Sequence, residues 1–294
     1  MTPQEFLLVV FCLIDDELNA LNLPRLRARG PRPPLADRAV ITRAGVGACW
    51  GRADDRAILR HFRHDSPAEF PRLAEVDRST FVRQAANLCW LKRRLQEHLA
   101  RLLADPNAPW LIDSVPLPVC RFARARTCRR FAGQAAYGFD PVAQKAFYGF
   151  RLHLRTSLDG VILGYELAAA NASETAMAAE LAPASVGMGV GDRNYWSPAV
   201  RAEFRAAGGE LLAPYKHASR DPDPKWSSWL LSLRRRIETT IGQLVDRFRC
   251  RHVKVRDMWH LENRIVRKIL GHTVAVLLNV RAGHEPLRFE ALAA

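Results

Sequence analysis

The chain has 294 residues, 48% hydrophobic and 25% charged, which excludes a disordered or fibrous protein and allows one large domain or two ordinary ones. Its 44 Lys and Arg against 30 Asp and Glu leave a formal charge of +14, most of it arginine. That balance favours polyanionic partners, because neutralised phosphates release condensed counterions. A GC-rich coding bias accounts for arginine over lysine but not for base over acid. The six cysteines include no Cys-x-x-Cys pair, which argues against a zinc ribbon or a disulfide framework and fits a reducing cytoplasm.

Thr2-x-x-Glu5 is a capping box opening a first helix, bounded by Pro24. The apolar run from Phe6 to Ile14 follows no basic segment and meets Asp15-Asp16-Glu17, so neither a signal peptide nor a membrane span is expected. Residues 25–34 form a Pro- and Arg-rich connector. Helices are expected over 36–49, 55–63 and 67–73, the last opened by Ser66-Pro67-Ala68-Glu69. One long helix should cover 78–104. Asp105-Pro106-Asn107-Ala108-Pro109 then breaks the pattern and marks a domain boundary.

Beyond it the period changes to that of strands. Residues 110–119 read as the first, followed by a loop rich in arginine that includes Arg129 and Arg130. Residues 147–154 and 161–168 form a hairpin around Leu158-Asp159-Gly160. A helix at 173–181, a buried strand at 186–190, a helix from Ser197-Pro198 and a strand at 210–214 follow. The polar loop after Lys216 leads to a helix over 226–248 with apolar positions 230, 233, 237, 241, 244 and 248, the stripe of a helix lying on a sheet. A last helix spans 257–279. The expected order is a mixed α/β layer over 107–280 with helices on both faces, preceded by an all-α region over 1–106 and followed by a tail, 281–294.

Three acids stand out. Asp113 sits inside an apolar strand, where an unpaired charge is costly, so it needs a partner or a metal. Asp192 follows Gly189-Val190-Gly191, the exit of a strand, where ligand groups gather in open α/β sheets. Glu238 shares a helix face with Arg234 and Arg235, and Gly242 leaves the next turn bare. Each has a plainer reading: a core ion pair, a turn aspartate, a salt-bridged surface stripe. Tyr195 and Trp196, next to Asp192, could stack on bases or seal a core. His153 reads as a core or supporting residue. Carboxylates on separate elements can converge to hold two divalent ions, which clamp both oxygens of a phosphoryl displacement.

The acids lie 79 and 46 positions apart, within Leu111-Ile112-Asp113-Ser114-Val115-Pro116, Gly191-Asp192-Arg193-Asn194-Tyr195 and Arg235-Arg236-Ile237-Glu238-Thr239. With Tyr148 to Leu154 and the N-terminal Leu35 to Thr42, these stretches resemble the DDE transposases of bacterial insertion sequences, in their nine-eight-two branch. The resemblance implies a ribonuclease-H-like catalytic fold with Asp113, Asp192 and Glu238 as triad and two Mg2+ (or Mn2+) ions. It also implies strand cleavage and transfer at terminal inverted repeats of double-stranded DNA. Arg129, Arg130, Lys216, Arg234 and Arg235 would hold phosphates, the N-terminal helices would bind DNA or dimerise, and two subunits would pair on DNA at the nucleoid. Asn194 stands where such proteins usually carry Gly, and Leu231 and Val245 replace a usual Tyr and Lys. Two rival readings are a domesticated DNA-binding derivative and a nuclease that cuts without joining.

Overall fold

Two sequence periods become two compact units, Met1–Leu99 with Leu244–Ala294 and Ala100–Gln243. The structure, a computed structural model, describes residues 1–24, 33–105, 107–182, 187–252 and 254–291. Most of the expected connector (25–32), Pro106 of the expected breaker and Val186 of an expected strand lie outside these residues.

The first unit is helical. Its α1 (Pro3–Leu21) begins with the expected box: Glu5 N donates to Thr2 Oγ1 at 3.2 Å and Thr2 N to Glu5 Oε2 at 2.7 Å. Next come α2 (Asp37–Cys49), α3 (Asp55–Asp65), α4 (Arg78–Asn87) and most of α5 (Cys89–Leu103). The helix expected over 67–73 is only a 3-10 turn, Pro71–Leu73. Arg63 donates instead to the carbonyls of Leu73 and Val76, while Phe70 packs edge-on against Phe62 and under Arg43. Tertiary contacts here override a good local start signal.

The long helix expected over 78–104 breaks at Leu88. Buried Lys92 donates to Ala85 O at 2.7 Å, taking up a carbonyl near the break. The helix expected over 257–279 is α9 (Met258–Arg281), and with the rest of 244–294 it groups with the N-terminal helices. It is buried on almost every face from Leu261 to Asn279. No helix among the described residues is long and apolar enough to cross a membrane.

Among the described residues the second unit carries six strands: β1 (Trp110–Pro118), β2 (Ala136–Asp140), β3 (Lys145–Ser157), β4 (Ile162–Ala169), β5 (Met188–Val190) and β6 (Glu210–Leu212). β3 runs antiparallel to β1 along one edge, and β2 and β4 share its other edge. β5 and β6 continue the sheet in parallel beyond β1. The long hairpin expected around Asp159 is present, whereas β2 was not expected. On one face α6 (Glu174–Leu181) and α7 (Pro198–Ala206) cover Trp110, Ile112 and Leu211. The stripe of α8 (Pro224–Asp246) covers Leu111, Val190 and Leu212 on the other, through Leu230, Leu233, Ile237 and Ile241. A mixed sheet in this order with helices on both faces is a ribonuclease-H-like arrangement. Gly189 is needed where β5 meets β1, since a Cβ there would lie 2.2 Å from the Trp110 ring.

Candidate active site

Side chains alternate along β1, so Leu111 and Asp113 belong to the α8 face and Ile112 and Ser114 to the α6 face. The bonds follow that pleat. Arg234 of α8 donates to Asp113 Oδ2 at 2.7 Å, and Ser114 Oγ donates to Glu174 Oε1 of α6 at 3.0 Å. Ser114 N also donates to Asp113 Oδ1 at 2.7 Å.

Asp192 reaches the same place through the parallel pairing of β1 with β5. Trp110 is level with Gly189 and Leu111 with Val190, and that register carried two residues further sets Asp113 level with Asp192. A tight turn follows. Asp192 caps it, accepting from Asn194 N at 2.8 Å and from Asn194 Nδ2 at 3.2 Å. Glu238 lies one helical turn beyond Arg234, its Oε1 4.0 Å from Nη1. Its side chain is 57% exposed, against 17% for Asp113 and 12% for Arg234.

Asp113 and Glu238 therefore share one guanidinium, and Asp192 lies near enough to act on Asp113 and Arg234 by its charge. Burial works against the charge of Arg234, yet Asp113, Asp192 and Glu238 together raise its proton affinity. Burial pushes the Asp113 carboxyl up to about 6; Arg234 pulls it down, Asp192 pushes it further up, and the bonds from Ser114 and Arg234 lower it. Glu174 is likewise raised by burial and by Asp192, against the bonds it receives from Ser114 and Asn194 and the charge of Arg151.

Glu174 escaped the sequence reading, since an acid in the first turn of a helix after Ser is ordinary. Arg151 of β3 supports it, donating to Ser114 Oγ at 3.0 Å, to Glu174 Oε1 at 3.4 Å and to Phe139 O at 2.6 Å. Only an Arg next to an apolar strand run could have hinted at this.

Other expectations resolve plainly. Tyr195 is buried in the α6 and α7 core and cannot stack on bases, while Trp196 leans edge-on against Tyr215 at 4.9 Å. His153 is fully buried, and burial lowers it to about 4, so it stays a neutral core residue. Arg129, Arg130, Lys216 and Arg235 are exposed on the α/β unit. Arg234, expected to hold phosphate, faces the acids.

Among the described residues no three His, Cys, Asp or Glu side chains are gathered as a metal cluster. The donor chemistry nonetheless fits hard divalent cations. Asp113 and Glu238 share the Arg234 guanidinium, Glu174 pairs with Arg151, and Glu174 Oε2 is buried without a hydrogen-bond partner. Two of the acids have raised proton affinity, chiefly through burial and further through the charge of Asp192.

No curated protein and no solved structure gives a significant match to the chain. A family model described as the transposase DDE domain matches residues 104–258, just over half of the chain and all of the elements that bear Asp113, Asp192 and Glu238. That match establishes that the chain belongs to the transposase DDE-domain family.

Proposed function

We propose that the protein cuts DNA at the terminal inverted repeats of a bacterial insertion sequence and transfers the freed ends to a target. Family membership supports a transposase that works on DNA with divalent metal. The observation that supports the finer reading is that Asp113 and Glu238 share Arg234, with Asp192 at the exit of the strand that pairs with β1. In this reading Asp113, Asp192 and Glu238 would hold two Mg2+ (or Mn2+) ions. Such ions, when bound, supply Lewis-acid stabilisation and lower the pKa of the attacking water or 3′-hydroxyl.

The chain's own residues set the stage. β1 and the turn that Asp192 caps hold Asp113 and Asp192 through bonds from Ser114 N and Asn194 N, which spares reorganisation when the substrate arrives. Glu238, more than half exposed, closes on them by side-chain rotation. Arg234 keeps the acids together and turns to a substrate phosphate once they are otherwise satisfied. Arg129, Arg130, Lys216 and Arg235 grip the backbone, which positions the duplex without reading its sequence. Two ends cut together need two such sites, so the protein acts as a homodimer on DNA at the nucleoid.

The test is incubation with magnesium and a duplex carrying the element's ends. Joined products are expected, and Asp113→Asn or Glu238→Gln should lower cutting by about three orders of magnitude or more while duplex binding persists. Undiminished cutting by Asp113→Asn removes that residue from the site. Cut ends that never join would instead make the protein a nuclease.

A further inference from the structure

A surface groove of about 570 Å³ lies wholly within the helical unit, lined by the start of α3, the start of α4 and the segment entering α9. Arg56, Arg78, Arg83, Lys254 and Arg256 line it; all five are exposed. None makes an ion pair among the described residues. The three carboxylates in the lining are engaged elsewhere. Asp54 caps α3 by accepting from Ala57 N at 2.9 Å, and Asp257 caps α9 by accepting from His260 N at 2.9 Å. Asp55 is buried and paired with Arg267.

Five like charges from three elements repel one another, and the three carboxylates of the lining offset them only in part, so the groove favours an external polyanion. Helix starts add to this. Asp77 gives α4 no side-chain cap, and Arg78 and Ser79 of its first turn line the groove. Trp259, 41% exposed, forms an apolar wall. A single aromatic wall does not make the series of stacking platforms that unpaired bases need, so the chemistry matches the phosphate backbone of a duplex.

We propose that this groove grips duplex DNA through its phosphates, giving the helical unit a DNA contact built from residues outside the acidic site. The inference rests on the transposase reading. It is independent of the arginines already assigned to phosphate.

The full-length protein is titrated into fluorescent duplex over a range of salt concentrations, followed by anisotropy. The triple variant Arg78→Ala, Arg83→Ala, Lys254→Ala should bind end-bearing and unrelated duplexes more weakly to the same degree. Its slope of log affinity against log salt should shrink by about 2.7, at roughly 0.9 per lost phosphate contact. The triple Arg78→Lys, Arg83→Lys, Lys254→Arg keeps the charges and should restore most of the slope, which separates lost charge from lost fold. An alanine variant with parental affinity and slope overturns the groove assignment and leaves the function proposal standing. Parental protein that binds no duplex overturns the function proposal itself, and the groove with it. A loss confined to single-stranded probes refutes the choice of duplex.

Discussion

Replacing Asp113 by Asn tests the electrostatics of the site without any reaction. Its folded carboxyl titrates at about 6 against an ordinary 3.8, even with Arg234 2.7 Å away. Between those values the folded chain keeps a proton that the unfolded chain has released. Stability therefore falls as pH rises through that window, and the whole penalty is present above pH 6. At 1.36 kcal/mol per pH unit the penalty is about 3 kcal/mol. That figure is an upper bound, because Asn leaves Arg234 facing an amide in place of a carboxylate. In EDTA, Asp113→Asn should be more stable than the parent at pH 7.5 by up to about 3 kcal/mol, and no more stable at pH 4. Urea unfolding followed by tryptophan fluorescence reads this, since Trp110 is buried beside the site. Excess magnesium should stabilise the parent and leave the variant unchanged. A variant less stable than the parent at pH 7.5, or one with an equal gain at pH 4, would refute the claim that a buried, surplus charge sits at Asp113.

Two further outcomes follow from other buried groups. Glu174→Gln keeps an acceptor for Ser114 and Arg151 but removes a negative charge beside Asp192, so half-saturating magnesium for cleavage should rise about 10- to 100-fold with little change in rate at saturation; an unchanged magnesium dependence would count against its supporting role. Lys268 donates to the carbonyls of Phe248 and Arg249, and burial lowers it to about 7, with Arg267 also pushing it down. Between that value and 10.5 the unfolded chain binds a proton that the folded chain lacks, so stability rises with pH, and Lys268→Met should flatten about 2 kcal/mol of that rise between pH 7.5 and 9 in urea unfolding.

What could be read from sequence follows the range of the forces involved. The strand at Trp110 to Pro118, the hairpin around Asp159 and the α8 stripe were legible because period and turn chemistry are local. β2 was not, since its outward Tyr137 and Phe139 and its Gly138 give a five-residue strand no buried apolar face to recognise. A charge within an apolar strand announced that Asp113 must have a partner. It did not name the partner, because Arg234 is 121 positions away. The pleat explains the rest of the site: one residue along β1 reverses the face, so Asp113 meets α8 while Ser114 meets Glu174 on α6. No window of neighbours contains that pairing. The same logic accounts for α9, whose Arg267, Lys268 and Asn263 look like an outward polar face. Each instead finds a carboxylate, a carbonyl or Lys92 from elsewhere in the chain, so the helix is buried with its charges inside. Buried charge thus marks both the acidic site and the helical core. What separates them is the sign of the surplus: in the core Arg267 pairs with Asp55 and Lys268 lies beside them, whereas at the site Asp113 and Glu238 share the one guanidinium of Arg234 and Asp192 pushes the Asp113 carboxyl further up. An excess of acid, together with burial, is the physical sign of a place suited to cations.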